Sequence, residues 1–548
     1  MTRRRWVAPL LFLFLAVAWT WPAAIAGRDA LAVRHFDGIG VVWMIDAGAR
    51  LYPDMTDTLT GWPDGAEYHR PESWLLVLLS PLLRLAAGPL AFNLLQILGL
   101  AASATAAEAF ARRLGARAPW SFIGGVAFAF NGIAATALLE GHIYHVIDPW
   151  LPLFGIAWLD ATGRNGRPRD GLLAGAWFVL TGLTTAYLGI GAGILALGLA
   201  IPALLGRHRA RALLAMLPAL LPVLPFVAWY VYGYSQGSYN ANLVTDLTPA
   251  EVAGAVQVGS ASLVSLAGAA PEVDRGGHSI AATLSATVLA LCLVSPWVLG
   301  FGAGSRPFGW RRVLGVGAVA LVLSLGPRLA LDALHPTLPL PFSALLELPG
   351  AGYLRFPLRL GWVWALCGGA VASCVAQALA TRIPATAAVL GFVVFEAFFI
   401  VGMPFRQMTQ IGTVPSAYGA SSGPVLDLYP VSEEEGDDLN SWSRGWACYY
   451  QTVHQRPIAD HCQETTWARN PRAAVADPLT ALLLARDIAA VRSLLGAEGF
   501  VTVALHPDFY SPADRAALTE ALTTLDPAPR SSTDGGELVV AYAVGGVP

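Results

Sequence analysis

Acidic residues are concentrated in the first long polar segment of the chain, where one of them could act as a general base. Asp37 closely follows the first apolar stretch, and four further aspartates lie behind it: Asp46, Asp54, Asp57 and Asp64. A carboxylate within hydrogen-bond reach can take a proton from an attacking hydroxyl. Asp37 is near enough to the apolar stretch to return to a membrane surface, so we take it as the candidate base. The simpler alternative is a solvated loop acid.

Two histidines and an acid, His142, His145 and Asp148, follow a later apolar stretch. Imidazole and carboxylate groups bind metal ions or hydrogen-bond a sugar. His142 and Asp148 are too far apart in sequence to share one helical turn, so folding must bring them together. We favour a substrate contact over metal ligation. Asp46 and His69 are lesser substrate-binding candidates. For all of them the alternative is ordinary hydrogen bonding in an interfacial loop.

Two arginines, Arg355 and Arg359, stand four residues apart just before another apolar stretch. On a helix this spacing puts them on one face. Guanidinium groups pair well with phosphate oxygens, so we expect both to bind a phosphate group. The alternative is that they reach toward lipid headgroups or bind loop carbonyls.

The composition predicts that membrane helices position these residues. Of 548 residues, 55% are hydrophobic and only 13% are charged, and the mean hydropathy is +0.54. A soluble domain carries about 25% charged residues. The net charge of -3 gives no indication of nucleic-acid binding. We predict an all-α polytopic membrane protein of about eleven spans, each long enough or nearly so to cross a bilayer of roughly 30 Å. The predicted spans are Val7–Ala26, Leu90–Phe110, Ser121–Leu138, Trp150–Leu159, Leu172–Tyr187, Ile190–Leu205, Leu213–Tyr232, Ile280–Ala303, Val313–Leu331, Leu358–Ala380 and Ala385–Met403.

Arginine clusters in alternate connections predict the orientation. They occur at Arg3–Arg5, Arg112–Arg117, Arg164–Arg169, Arg207–Arg211, Arg306–Arg312 and Arg382. The positive-inside rule places them in the cytoplasm. We therefore predict a bacterial inner-membrane protein with its N-terminus inside, its C-terminus in the periplasm, and outer loops at 27–73, 233–279 and 332–357. A cleavable signal peptide is the alternative for the first span, but Trp19 and Trp21 favour a retained anchor.

The tail, residues 404–548, is long enough for a small domain. Its end predicts an α/β unit with helices at Pro478–Leu495 and Pro512–Thr523 and strands at Gly499–Leu505 and Glu537–Val544. Cys448 and Cys462 lie in this tail. An oxidising periplasm favours a disulfide between them. A zinc site that adds His454 or His461 is the alternative.

Several short segments resemble one family. Asp37 with Trp43 and Asp46, and Pro63-Asp64-Gly65, are similar to the first outer loop of the bacterial GT-C superfamily of integral-membrane glycosyltransferases. Later segments also resemble this family: Ala106–Gly115, Gly124–Asn131, Gly141-His142 before Trp150–Leu153, Ser324–Pro327, Leu348–Gly350, Leu354–Arg359 and Tyr449–Ile458. The resemblance implies a polyprenyl-phosphate sugar donor and a catalytic acid at Asp37. No Asp-x-Asp motif lies near Asp37, so a divalent metal ion stays an open possibility.

The leading hypothesis is thus a membrane glycosyltransferase that moves a sugar from a polyprenyl-phosphate donor to a glycan, lipid or protein acceptor on the periplasmic face. A transporter or lipid flippase is the second hypothesis. Such folds often contain repeated halves, which this sequence does not show. A non-catalytic envelope assembly protein that displays the tail is the third.

Overall fold

The computed structural model describes residues 6–27, 30–33, 37–51, 56–67, 73–86, 88–236, 253–254, 256–257, 260–263, 274–275, 278–279, 285–300, 309–330, 336–347, 356–380, 387–400, 409–410, 414–420, 423–430, 438–460, 462, 471–533 and 538–544. Helices dominate the part before the tail. They are α1 Val7–Trp19, α2 Ala23–Ala26, α3 Asp37–Leu51, α4 Trp74–Leu83, α5 Gly88–Leu114, α6 Phe122–Ala129, α7 Gly132–Leu139, α8 Trp150–Ala161, α9 Pro168–Thr184, α10 Ala186–Leu204, α11 Arg209–Met216, α12 Leu220–Gln236, α13 Ala286–Gly300, α14 Trp310–Ser324, α15 Phe342–Leu345, α16 Gly361–Ala380 and α17 Ala387–Phe395.

Five helical segments of the described chain are long and apolar enough to cross a bilayer: Gly88–Leu114, Phe122–Leu139, Ala186–Leu204, Arg209–Tyr232 and Pro357–Ala380. Each coincides with a predicted span, so the chain is a multi-pass membrane protein. Other predicted spans form shorter apolar helices. The span predicted at Trp150–Leu159 is α8, whose 12 residues extend only about 18 Å. The count of eleven spans therefore remains a prediction.

Small residues let the central helices approach one another closely. A Cβ atom added at Gly369 of α16 would lie 2.8 Å from the Ala127 Cβ and 3.3 Å from the Gly124 Cα, both on α6. Backbone contact through small residues is the usual way in which membrane helices pack, since lipid supplies no hydrophobic drive between them. Trp362 and Phe128 complete this contact with an edge-to-face ring pair at 5.4 Å.

A buried carboxylate, Glu396, ties two membrane helices together. It lies in the π-helical turn Glu396–Ile400 that continues α17. Its oxygens accept hydrogen bonds from the Ser285 hydroxyl and from the Thr287 backbone N–H, at 3.1 Å for the latter. Those donors stand at the start of α13, where backbone N–H groups lack helical partners. The contact supplies a structural reason for an acid inside an apolar stretch.

The tail folds around a four-stranded sheet. Strands β9 Val425–Leu428, β10 Thr502–Leu505, β11 Arg530–Ser532 and β12 Val539–Ala543 are arranged in the order β11-β12-β10-β9, with β9 and β10 parallel and the other pairs antiparallel. Helices α18 Asp438–His454, α19 Pro471–Leu484, α20 Ile488–Glu498 and α21 Pro512–Leu525 accompany it. The predicted helix over Pro478–Leu495 is two helices, because the chain turns at Arg486, whose φ is positive.

Successive side chains of a strand point to opposite faces of the sheet, and each face of this sheet packs against an apolar core. Leu426 and Leu428 pack into the apolar core formed with α19 to α21. Val425 and Ala504 face the other way and belong to the same core as the membrane helices and α18. On that second face lies a buried polar group, in which Asp427 accepts hydrogen bonds from the Tyr418 hydroxyl and from His506 Nε2, the latter at 3.1 Å.

The remaining strands are short pairs. They are β1 Ala30–Leu31 with β8 Thr409–Gln410, β2 Thr56–Asp57 with β3 Ala66–Glu67, β4 Asp274–Arg275 with β5 His278–Ser279, and β6 Arg328–Ala330 with β7 Pro336–Pro339. The first of these pairs joins the segment before α3 to the segment that precedes the tail sheet.

Candidate functional site

The turn at Gly141 places the histidine segment, residues 142–148, directly against the start of α3. Gly141 has a φ of +82°, and a Cβ atom there would lie 2.2 Å from the Gly38 backbone nitrogen. Only glycine fits both the left-handed conformation and this approach. Because Asp37 precedes Gly38 as the first residue of α3, its backbone and the Glu140–His142 turn are neighbours. The Asp37 side chain lies outside the described part of the structure.

Two polar contacts hold the histidine segment on α5. The Ser103 hydroxyl donates to the Val146 carbonyl at 2.8 Å and accepts from the Asp148 backbone N–H at 3.0 Å. Asp148 Oδ1 in turn accepts from the Leu151 N–H at 3.1 Å and so caps the first turn of α8. The other carboxylate oxygen, Oδ2, is buried without a hydrogen-bond partner in the described structure. Burial raises the pKa of Asp148 to about 7.

His145 is buried, and neither of its ring nitrogens has a hydrogen-bond partner among the described residues. Its ring lies 5.8 Å from that of His142 and 6.4 Å from that of Tyr187. Burial, and then the positive charges of Arg359 and His142, hold the pKa of His145 well below its ordinary value. The ring is therefore neutral near pH 7, and it can donate one hydrogen bond and accept another. Buried polar atoms left without partners are rare and call for an explanation such as a ligand.

Arg359 is held between two aromatic rings beside this histidine. Its guanidinium carbon lies 4.7 Å from the Tyr187 ring centre and 4.4 Å from that of Phe356. No carboxylate pairs with Arg359 among the residues that the structure describes. Stacking on rings leaves the edge of a guanidinium, with its N–H groups, available to a planar or tetrahedral anion. This is a cation site without a protein counter-ion in the described part of the chain.

These groups meet at one end of the membrane helices. His142 and His145 follow the end of Phe122–Leu139, Tyr187 is in the first turn of Ala186–Leu204, and Arg359 is in the first turn of Pro357–Ala380. Arg117 and the cluster Arg207–Arg211 lie at the opposite ends of the first two of these helices. We call this group the outer site, after the side of the membrane that the sequence predicts for it. It consists of the start of α3 with His142, His145, Asp148, Tyr187, Phe356 and Arg359.

Glu140 and His142 form a second contact in the same turn. His142 Nδ1 lies 3.1 Å from Glu140 Oε2, and both side chains are largely buried. A carboxylate beside an imidazole sets which ring nitrogen carries the proton. Glu140 therefore leaves His142 with its Nε2 as the nitrogen for other contacts.

Other predicted site residues lie elsewhere or outside the described residues. Asp46 is on α3 and its carboxylate contacts Arg50 at 3.0 Å and Arg84 at 3.6 Å. His69 and Arg355 fall outside the described residues. Cys448 and Cys462 form a disulfide, so neither sulfur is free to bind zinc. In the described part of the chain, no three His, Cys, Asp or Glu side chains come together as a metal site.

Tyr187 and Phe356 belong to the site, although the sequence does not predict them there. Tyr187 at the end of a span is typical of an interfacial anchor, and it is instead buried against Arg359. The available signal was the Phe356-Pro357 pair just before Arg359, since an aromatic ring near an arginine at a helix start can stack on it.

No family model and no curated protein sequence matches the chain. Solved structures do match it. All of the chain aligns with 75% of AglB, an archaeal oligosaccharyltransferase from Archaeoglobus fulgidus solved with an inhibitory peptide and a dolichol-phosphate, at a TM-score of 0.50 and 11% identity. All of it also aligns with 40% of AftD, an arabinofuranosyltransferase from Mycobacteria, at a TM-score of 0.55 and 14% identity. The chain thus spans less than half the length of the AftD chain.

Identities this low show the fold alone, and the fold agrees with the resemblance found in the short sequence segments. The chain therefore shares its fold with these two solved glycosyltransferases.

Proposed function

We propose that the protein is a membrane glycosyltransferase that takes a sugar from a polyprenyl-phosphate donor at the outer site and passes it to an acceptor hydroxyl on the periplasmic face. Residues 1–403 form the catalytic membrane domain, and residues 404–548 form a periplasmic α/β unit. The solved relative AglB binds a dolichol-phosphate, which is a lipid of the proposed class.

The observation that carries this proposal is Arg359 itself. A guanidinium beside a largely buried, neutral histidine and without a carboxylate partner among the described residues leaves a local excess of positive charge. Charge away from bulk water interacts strongly with an opposite charge, so an anionic ligand stabilises this site. Its place in the first turn of an apolar helix suits an anion attached to a lipid tail.

The proposed reaction needs one base and one anion-binding group. Asp37 takes the proton from the acceptor hydroxyl as its oxygen forms a bond to the anomeric carbon of the sugar. The bond from that carbon to the phosphate oxygen breaks, and the lipid phosphate leaves with the electron pair. Attack opposite the leaving group inverts the anomeric configuration. Arg359, with Arg355, stabilises the negative charge that develops on the phosphate.

The histidine segment is proposed to bind the sugar. His145 offers a neutral donor and acceptor, and Asp148 titrates near pH 7, so both suit hydroxyl groups better than charged groups. His142 and His69 are proposed as further substrate contacts. For Asp46, another candidate substrate contact, the ion pairs with Arg50 and Arg84 favour a role in holding α3. A divalent metal ion stays open as a cofactor.

A donor panel tests the proposal. The purified protein in lipid nanodiscs is incubated with radiolabelled polyprenyl-phosphate sugars and candidate acceptors, beside Asp37→Asn and a matched control, Arg311→Gln. Arg311 also lies over an aromatic ring, that of Trp310 at 5.4 Å, but far from the outer site along the chain. We expect turnover by the wild type and the control and none by Asp37→Asn. Equal turnover by Asp37→Asn would reject the base, and no turnover with any donor would favour transport.

A further inference from the structure

We propose that Arg50 is a positioning residue which fastens α3 to the tail, so that the tail is a structural part of the outer site and not an appended module. The inference rests on the proposed function only in that Asp37, at the start of α3, is the catalytic base. The contacts themselves are independent of any activity.

Arg50 joins groups from three parts of the chain. Its Nη1 atom donates to Asp46 on the same helix at 3.0 Å. Its Nη2 atom donates to Asp57 on β2 at 3.2 Å and to Gln451 on α18 at 3.3 Å. A longer contact of 3.5 Å reaches Gln455 just beyond the end of α18. A guanidinium carries five N–H donors in a rigid planar fork, whereas a lysine ammonium carries three on a single nitrogen, so the arginine can reach acceptors that lie further apart.

The carboxylate of Asp57 explains why the arginine stays in place. The Asp57 side chain is only 2% exposed, and its second oxygen accepts the Leu59 backbone N–H at 3.0 Å. A buried carboxylate without a cation partner is costly. Arg50 supplies that partner through Nη2, and the same nitrogen also donates to the side chain of Gln451, which is fully buried.

Backbone bonds attach the same region to the tail independently of Arg50. The Ile458 N–H donates to the Leu59 carbonyl at 3.0 Å, and the Trp62 N–H donates to the Ile458 carbonyl at 3.0 Å. The Trp62 indole N–H donates to the Glu498 carbonyl at 2.8 Å. The disulfide from Cys448 to Cys462 closes the loop that contains Ile458. The residues after α3 are thus held by the tail through several bonds.

The residues before α3 are held in the same way. Ala30 and Leu31 pair with Gln410 and Thr409 as β1 and β8. The Asn93 side chain of α5 hydrogen-bonds to the same stretch. It accepts from the Ala32 N–H at 3.0 Å and donates to the Ala30 carbonyl at 2.9 Å. The segment that carries Asp37 is therefore fastened on both sides, and a rigid helix transmits the position of Arg50 to its other end about 20 Å away.

Hydrogen exchange and kinetics together test the inference. Arg50→Gln and the milder Gln451→Ala are compared with Arg486→Gln, which removes an exposed ion pair to Glu520 within the tail. We expect faster exchange of the α3 amides in the first two variants and unchanged exchange in the control. We also expect kcat to fall about tenfold with KM for the donor unchanged, because Arg359 is untouched, and Arg50→Lys to recover only part of kcat.

Unchanged exchange of the α3 amides in both Arg50→Gln and Gln451→Ala would overturn the inference. So would a rise in KM with kcat intact, which would indicate a role in donor binding. Exchange needs no substrate. If the wild type transfers no sugar, the proposed function fails while the exchange data still decide whether Arg50 fastens α3. Should Arg50→Gln fail to fold, the exchange of the α3 amides in Gln451→Ala decides the question, since that variant retains the Arg50 pairs with Asp46 and Asp57.

Discussion

Replacing Arg359 with glutamine removes the guanidinium that we propose binds the donor phosphate at the outer site. In the structure this guanidinium stacks between the Tyr187 and Phe356 rings. Cation–π contacts are worth about 0.5–2 kcal/mol each, so we expect the loss of two of them in Arg359→Gln to lower the free energy of unfolding by about 1–4 kcal/mol. This loss of stability does not by itself lower activity, as long as the variant remains folded at the assay temperature.

The kinetic effect is separate from the effect on stability. A donor that stabilises developing negative charge in the transition state contributes roughly 2.7–4 kcal/mol, which corresponds to about 10²–10³ in kcat. Arg359→Gln should show this loss with any accepted polyprenyl-phosphate sugar. Arg359→Lys keeps the charge but loses the planar stacking, so we expect about a tenth of the wild-type kcat.

The neighbouring histidine supplies a second measurement that does not depend on turnover. The Arg359 charge is one cause of the low pKa of His145, after burial. Arg359→Gln should therefore raise the pKa of His145 toward its ordinary value, while burial keeps the ring neutral at pH 7. Titration of the histidine ring resonances by NMR would measure the change.

The control for this prediction is again Arg311→Gln, which should leave both kcat and the His145 pKa unchanged. An Arg359→Gln variant that retained the kcat of the control would refute a phosphate-binding role for this arginine. A change in thermal stability alone would also refute it, because the arginine would then be a structural residue.

Three further predictions concern stability. Burial raises the pKa of Asp148 to about 7, above the value near 3.9 of an unfolded chain. The folded protein therefore holds an extra proton between these values, and its stability falls as the pH rises through them. The Tm of Asp148→Asn relative to wild type should increase from pH 5 to pH 8, and a constant difference would contradict this. Loss of the Cys448–Cys462 disulfide, a separation of 14 residues, should cost about 3 kcal/mol in denaturant unfolding, and an unchanged midpoint would argue against a structural role. Glu396→Ala should lower stability by about 1–3 kcal/mol and leave kcat intact, whereas lost turnover in a stable variant would indicate a functional acid.

The spacing of apolar residues along the chain was enough to predict many of the helices of the membrane part and some of the strands of the tail. The apolar stretch predicted at Leu358–Ala380 is the helical segment Pro357–Ala380, and the predicted strand Glu537–Val544 is β12. Local sequence decides such elements, because hydrophobic periodicity reports which face is buried. Strand β9 is not predicted, since Val425–Leu428 is a nearly continuous apolar run that does not distinguish a strand from a buried helix.

Contacts between distant segments were the part that sequence could not supply. The sequence does not identify Arg50 as a positioning residue, because its partner Gln451 lies 401 residues further along the chain. The approach of Gly141 to Gly38 likewise depends on how α5 and the following helices pack. Only the tertiary fold brings the histidine segment to α3, although each residue type is recognisable in the sequence as capable of chemistry.

The most direct test of the outer site is a cryo-EM structure of the protein with a polyprenyl phosphate bound. We expect its phosphate oxygens within about 2.7–2.9 Å of the Arg359 guanidinium nitrogens, as in charge-assisted hydrogen bonds, at the same end of the membrane helices as the start of α3. A headgroup bound at the opposite end, beside Arg112 and Arg113, would contradict the proposed site.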